Sequence, residues 1–236
     1  MKLRLIRPYP LIAMATALGA LVSGAALADK LHLGLAGMAA IIGGSLLLVP
    51  VGLWGNQVAY PLNNPVWSLV FELFANLLYG LKLDRKISKA ITAVFLGLLA
   101  LALAAILYRF GGVESIGFMG QDEFIKGVIR VLTPFCLGVA AFRLGLADKA
   151  PILPDIVICM VCLGILCMPD FSGRAVFQWL SIVVLFPALI HVGARAKLSP
   201  ALTPLWRFGG RLSYPLSLIH TPVIVLCGGL YEAFGK

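Results

Sequence analysis

Residues 90–108 read AITAVFLGLLALALAAILY, and no charged side chain interrupts them. Wound as a helix at about 1.5 Å per residue, this run reaches nearly 30 Å, the thickness of a bilayer's hydrocarbon core. Its apolar residues cover every side. Neither the alternation of a half-buried strand nor the single stripe of a soluble surface helix fits such a pattern, so the segment calls for lipid around it.

Working outward, similar runs occupy residues 11–28, 33–53, 66–81, 127–144, 152–168, 175–192 and 212–230, joined by short connections. Of the 236 residues, 61% are hydrophobic and 12% charged, with a mean hydropathy of +0.99. A soluble domain has about 45–50% apolar and about 25% charged residues. The expected fold class is therefore all-α, a polytopic integral membrane bundle of about eight hydrophobic helices forming a single domain over residues 1–236. A transmembrane barrel is excluded because its strands alternate with period two.

The formal net charge of +9 does not point to nucleic acid. Lys and Arg lie almost entirely between the apolar runs, where they set topology and meet lipid headgroups. No basic stripe carries interleaved aromatics, so the bilayer is an expected partner and nucleic acid is not. Cys136, Cys159, Cys162, Cys167 and Cys227 all fall within apolar runs, where a thiol acts as a small hydrophobe. Cys159 and Cys162 form a C-x-x-C, but no second pair or neighbouring His completes a ligand set, so no metal is expected.

At the amino terminus, Lys2, Arg4 and Arg7 precede a run that ends in Ala26-Leu27-Ala28 before Asp29. This has the shape of a cleavable signal. The length of the run and the further spans after it favour retention as a first span. If every run crossed from a cytoplasmic amino terminus, the basic segments 82–89 and 195–211 would fall outside, against the positive-inside tendency. The tension resolves if the Gly- and Pro-rich run 33–53 dips in and returns, or if the amino terminus lies outside; the first is preferred.

Ionisable groups inside spans cost about 2.5–3.5 kcal/mol on insertion scales, so each one asks for a reason. Asn64 and Pro65 form a helix start, as N-cap and first helical residue. Glu72, Asn76 and Tyr79 then share one polar stripe, expected to face the bundle interior. Glu72 either locks packing through a hydrogen bond or serves as acid, base or substrate ligand. In the last run Ser213, Ser217 and His220 share a face, while Pro215 and Pro222 each free a carbonyl for another donor. His220 suits a proton acceptor and a hydrogen-bonding anchor equally. His32 and His191 sit at run ends, within reach of interfacial water. Arg130 either snorkels to the interface or contacts an anion. Ala36, Ala40 and Gly44 are small-residue packing marks.

Three of these segments together resemble the acyltransferase-3 family of membrane O-acyltransferases. Arg4-Leu5-Ile6-Arg7-Pro8-Tyr9-Pro10 is similar to its basic R-x-x-R-x-(Y/W)-P stretch ahead of an early span. Trp67-Ser68-Leu69-Val70-Phe71-Glu72 resembles its W-S-L-x-x-E signature. Gly210-Arg211-Leu212-Ser213-Tyr214-Pro215-Leu216, running on to His220-Thr221-Pro222, resembles its G-R-x-S-Y-x-L-Y-L-x-H-x-P segment. Order and separation also suit the family over nearly the whole chain.

The resemblance implies transfer of an acyl group, commonly acetyl, from acyl-CoA to a hydroxyl of a sugar or lipid-linked acceptor of the cell envelope. It also implies a multi-pass protein of the inner (cell) membrane with acyl-CoA as donor substrate and no bound cofactor. Glu72 and His220 become the catalytic candidates. Arg4, Arg7, Trp67, Ser68, Asn76, Arg130, Arg211, Ser213 and Tyr214 become substrate-binding candidates. Two departures stand out: Ser217 occupies a position usually held by Tyr, and the family's opening spans, with their Arg or Lys and a His held to be essential for transfer, have no counterpart. The chain is thus expected to be amino-terminally incomplete by the first two spans. Two other readings stay open. One is a proton-coupled transporter with Glu72 and His220 on its path, although no inverted repeat is visible. The other is an inactive fragment of the family.

Overall fold

A computed structural model describes residues 9–52, 58–80, 88–113 and 123–234. Among these residues regular structure is helical, apart from one isolated bridge between Pro154 and Lys197. The helices are α1 (Tyr9–Lys30), α2 (Leu35–Leu46), α3 (Val66–Gly80), α4 (Lys89–Phe110), α5 (Phe124–Arg143), the single turn α6 (Leu146–Lys149), α7 (Asp155–Leu166), α8 (Arg174–Gly193) and α9 (Thr203–Phe234). Of these α1, α4, α5, α8 and α9 are long and apolar enough to cross a membrane. The all-α membrane bundle expected from the sequence is what the chain forms. It divides into two compact units: Met1–Phe74 with Phe118–Phe124 and Phe208–Lys236, and Ala75–Gly117 with Ile125–Arg207.

In the first unit the run 33–53 yields a helix of only 12 residues, about 18 Å long and short of the hydrocarbon thickness. Tight reversals bound α1 and α2. Past α1, His32 takes a left-handed conformation (φ 51°) and Leu33 N–H donates to the Ala28 carbonyl at 2.8 Å. Past α2, Leu48 does the same (φ 60°) and Val49 N–H reaches the Gly44 carbonyl at 2.8 Å. Both are Schellman-type closures that satisfy the last carbonyls of a helix, here without the usual glycine.

The irregular stretch 58–65 is buried against these helices, with Ala59, Tyr60, Leu62 and Asn63 almost fully shielded. Irregular backbone at membrane depth survives only when protein covers it and its polar groups find partners. Gly52 N–H donates to the Ala59 carbonyl at 3.3 Å, and the Tyr60 hydroxyl donates to the Leu48 carbonyl at 2.7 Å. Burial pushes the Tyr60 phenol above its ordinary pKa, so it remains a donor. Gly19 on α1 makes the approach possible: a Cβ there would lie 2.2 Å from the Leu62 carbonyl oxygen.

In the second unit Leu103 and Leu107 of α4 are completely buried against Ile129 of α5 and Trp179, Ile182 and Val183 of α8. The Trp179 indole N–H donates to the Ala100 carbonyl at 2.8 Å, joining α8 to α4 across apolar surroundings. Within α8, residues Ser181–Leu185 form a π-turn in which Phe186 N–H reaches the Ser181 carbonyl. Pro187 follows at once and has no N–H for the Val183 carbonyl, so the wider turn absorbs the break.

The run 152–168 becomes the 12-residue α7, because Pro151 and Pro154 hold the chain extended before it. Asp155 starts this helix and fixes it to the approach to α9. Its Oδ2 accepts from Ser199 N–H (2.9 Å) and from the Trp206 indole N–H (2.6 Å), and its Oδ1 accepts from Ile156 N–H (2.9 Å). The last helix starts well before residue 212. With Pro204 in its first turn, α9 runs for 32 residues, about 48 Å. Gly209, Gly210 and two Arg residues disguise its opening turns in a hydropathy reading.

Gly19→Val should drive a side chain into the Leu62 carbonyl and cost about 1–3 kcal/mol, as overpacking typically does. Gly24→Ala on the same helix meets only the Ala20 Cβ, at 4.0 Å, and should hold or raise stability. Thermal unfolding of both variants in detergent micelles checks the contrast.

Candidate functional site

The first turn of α3 is closed by i→i+3 bonds from the N–H groups of Val66, Trp67 and Ser68 to the carbonyls of Asn63, Asn64 and Pro65, at 3.2, 3.1 and 3.2 Å. The chain therefore enters the helix through a tight turn spanning Asn63 to Pro65. Trp67 is buried and meets Phe71 edge-on at 5.9 Å, and Phe71 in turn meets Phe124 at 5.4 Å. The Ser68 hydroxyl, exposed, donates to the Pro65 carbonyl at 2.9 Å.

Val66, Trp67, Leu69, Phe71 and Ala75 are the buried residues of α3. The polar stripe expected to face the interior is more open than that: Glu72 and Tyr79 are exposed and Asn76 is half-buried. The physical reason is the size of the apolar face, which claims the packing surface and leaves the carboxylate side accessible. Tyr79 keeps one aromatic contact, edge-on to Phe135 at 6.4 Å.

Helix α9 joins α3 and α1 through a small core in which Leu218 packs with Ile12 and Leu69, flanked by Leu11, Leu48, Leu73 and Tyr214. Beside it lies a polar contact that the sequence reading did not assign. Pro222, fully buried, has no N–H to give the Leu218 carbonyl four residues earlier. The Asn63 side-chain amide takes its place, donating to that carbonyl at 3.0 Å from a completely buried position. Freed carbonyls behind Pro215 and Pro222 were legible; the donor, 155 residues away in sequence, was not.

His220 lies two positions past Leu218, about 200° further round the helix. Its imidazole is exposed on the face of Ser213 and Ser217, away from that core. Nδ1 sits 2.9 Å from the Ser217 carbonyl and 3.2 Å from that of Leu216. A carbonyl only accepts, so in a neutral imidazole this contact places the proton on Nδ1 and leaves the lone pair to Nε2. The Ser213 and Ser217 hydroxyls donate to the carbonyls of Gly210 (3.1 Å) and Tyr214 (2.8 Å). Both retain lone pairs toward the same exposed face. Arg211 is exposed one turn before Pro215. The fold thus brings the helices bearing Glu72 and His220 into one core, while each of the two side chains stays accessible.

Arg130, in the second unit, takes a third course beyond the two expected. Its guanidinium donates to the Val113 carbonyl at 3.0 Å, and Val113 N–H donates to Gln178 Oε1 at 2.8 Å. It thereby holds the turn after α4. Arg4 and Arg7 lie outside the described residues. Among the described residues no group of three His, Cys, Asp or Glu side chains is placed to hold a metal ion, and the five cysteines are free thiols.

Asn63→Leu should strand the Leu218 carbonyl and lower stability by about 1–3 kcal/mol. In a Pro222→Ala background the restored backbone N–H supplies the missing donor and most of that cost should vanish. A double-mutant cycle on unfolding in mixed micelles measures the coupling.

Comparison with known proteins gives one match. The family model described as an acyltransferase domain, acyltransferase-3, covers residues 3–235. No curated protein and no solved structure matches the chain.

Proposed function

The chain belongs to the acyltransferase-3 family, and on that premise we propose that this membrane acyltransferase moves an acetyl group from acetyl-CoA to a hydroxyl of a cell-envelope carbohydrate, from a place in the inner membrane. The observation that carries the reading is the contact of His220 Nδ1 with carbonyls of its own helix, which leaves Nε2 on the exposed side. With Nδ1–H engaged by its own helix, the exposed Nε2 is oriented to accept a proton.

In this scheme Nε2 takes the proton of the acceptor hydroxyl as its oxygen attacks the thioester carbonyl. The tetrahedral oxyanion then collapses, the C–S bond breaks, and the CoA thiolate recovers a proton from the imidazolium. An ester and free CoA result. Ser213 and Tyr214, on the face and flank of His220, are the candidates to meet acceptor hydroxyls or the oxyanion. Glu72, accessible on α3, would orient the acceptor, with Ser68 and Asn76 beside it on that helix. Arg211, together with Arg4 and Arg7, offers guanidinium groups to the phosphates of CoA. Trp67, buried, suits a supporting role beside the substrates.

Purified protein in phospholipid nanodiscs, given acetyl-CoA and envelope polysaccharide, should release free CoA thiol. His220→Ala should lower that rate by about 100-fold or more, within the range of a lost general base, and Glu72→Gln should also reduce it. Unchanged turnover in both variants would remove this site assignment.

A further inference from the structure

A cavity of about 340 Å³ lies within the second unit. It is walled by Tyr79 of α3, by Phe95 of α4 and by Leu132, Cys136, Ala140 and Arg143 of α5. From Leu132 to Arg143 the helix rises about 16 Å, close to half of a roughly 30 Å hydrocarbon core. The cavity is therefore one leaflet deep, apolar over most of its length, with a guanidinium at one end. Lys89 is exposed at the same end, on the stripe of α4 that continues into Thr92 and Leu96 of the cavity wall.

Lys149, Arg195 and Lys197 lie in the segments 144–154 and 194–202 at that end, with Asp148 among them, and cations at the rim of an apolar cavity attract anionic headgroups.

We propose that this cavity binds one anionic phospholipid. An acyl chain lies along α5 between α3 and α4, and the phosphate meets Arg143 with Lys89 beside it. The occupant is argued from charge and length together. A free phosphate would leave the apolar depth unfilled, and a phosphatidylcholine would set a quaternary ammonium against two cations. The inference does not rest on the proposed acyl transfer, since its test reads lipid retention and not turnover.

Full-length protein equilibrated in nanodiscs of equal phosphatidylglycerol and phosphatidylcholine with matched chains, then released into mild detergent, is weighed by native mass spectrometry. Wild type should retain one phosphatidylglycerol in preference. Arg143→Gln should reduce that preference on the order of fivefold, the worth of about 1 kcal/mol for one cation near the headgroups. Arg143→Lys should preserve it, and Lys149→Gln, at the same end but outside the cavity wall, should leave it unchanged. Equal retention of both lipids by wild type, or equal losses in Arg143→Gln and Lys149→Gln, would overturn the proposal. Displacement of the bound lipid by palmitoyl-CoA would overturn it too, by assigning the cavity to an acyl donor.

Discussion

Pro222 removes a hydrogen-bond donor from the middle of a helix at a fully buried position, and the Leu218 carbonyl must then be answered by protein or left at a cost of several kcal/mol. Asn63 answers it. The consequence extends well beyond one bond, because Asn63 sits in the turn that launches α3. The amide thus ties the start of the Trp67-to-Glu72 helix to the level of α9 from which His220 projects. Leu218, whose backbone accepts that bond, also supplies the side chain that meets Ile12 and Leu69. Polar and apolar contributions at one residue fix the same relation between three helices.

The stretch preceding α3 is shaped by the same scarcity of water. In residues 48–52 and 58–65 the chain leaves the α-helix, and local devices meet freed polar groups: Tyr60 reaching Leu48, Gly52 reaching Ala59, and left-handed residues past the ends of α1 and α2. Close approach to α1 depends on the bare Cα of Gly19.

Hydropathy made the fold class legible, because runs such as 90–108 admit no other environment. It was less informative at element ends, where backbone geometry rules. The run 33–53 was expected to dip in and return, and its glycines and Pro50 permit the turn after Leu46. Conversely, Arg207, Gly209, Gly210 and Arg211 looked like a loop and proved to be helical, since a helix that outruns the hydrocarbon can carry charge beyond it. The exposed side of Glu72 followed from competition among faces of α3, which a wheel centred on the polar residues alone does not weigh. Asn63 was visible as part of a helix start, but its true partner is set by tertiary contact. Asp155 likewise reads as an ordinary first-turn acid until Ser199 and Trp206 are brought to it.

The account rests on α3 and α9 meeting at Leu69 and Leu218 inside the membrane. Cysteines placed at those two positions, in a background with the native five replaced, offer the most direct measurement: disulfide formation in intact membranes under mild oxidation. Rapid and near-complete crosslinking of the Leu69→Cys, Leu218→Cys pair, with little for a Leu69→Cys, Leu216→Cys pair on the far side of α9, is the predicted result. Equal crosslinking of both pairs, or none of the first, would contradict the shared core on which the site depends.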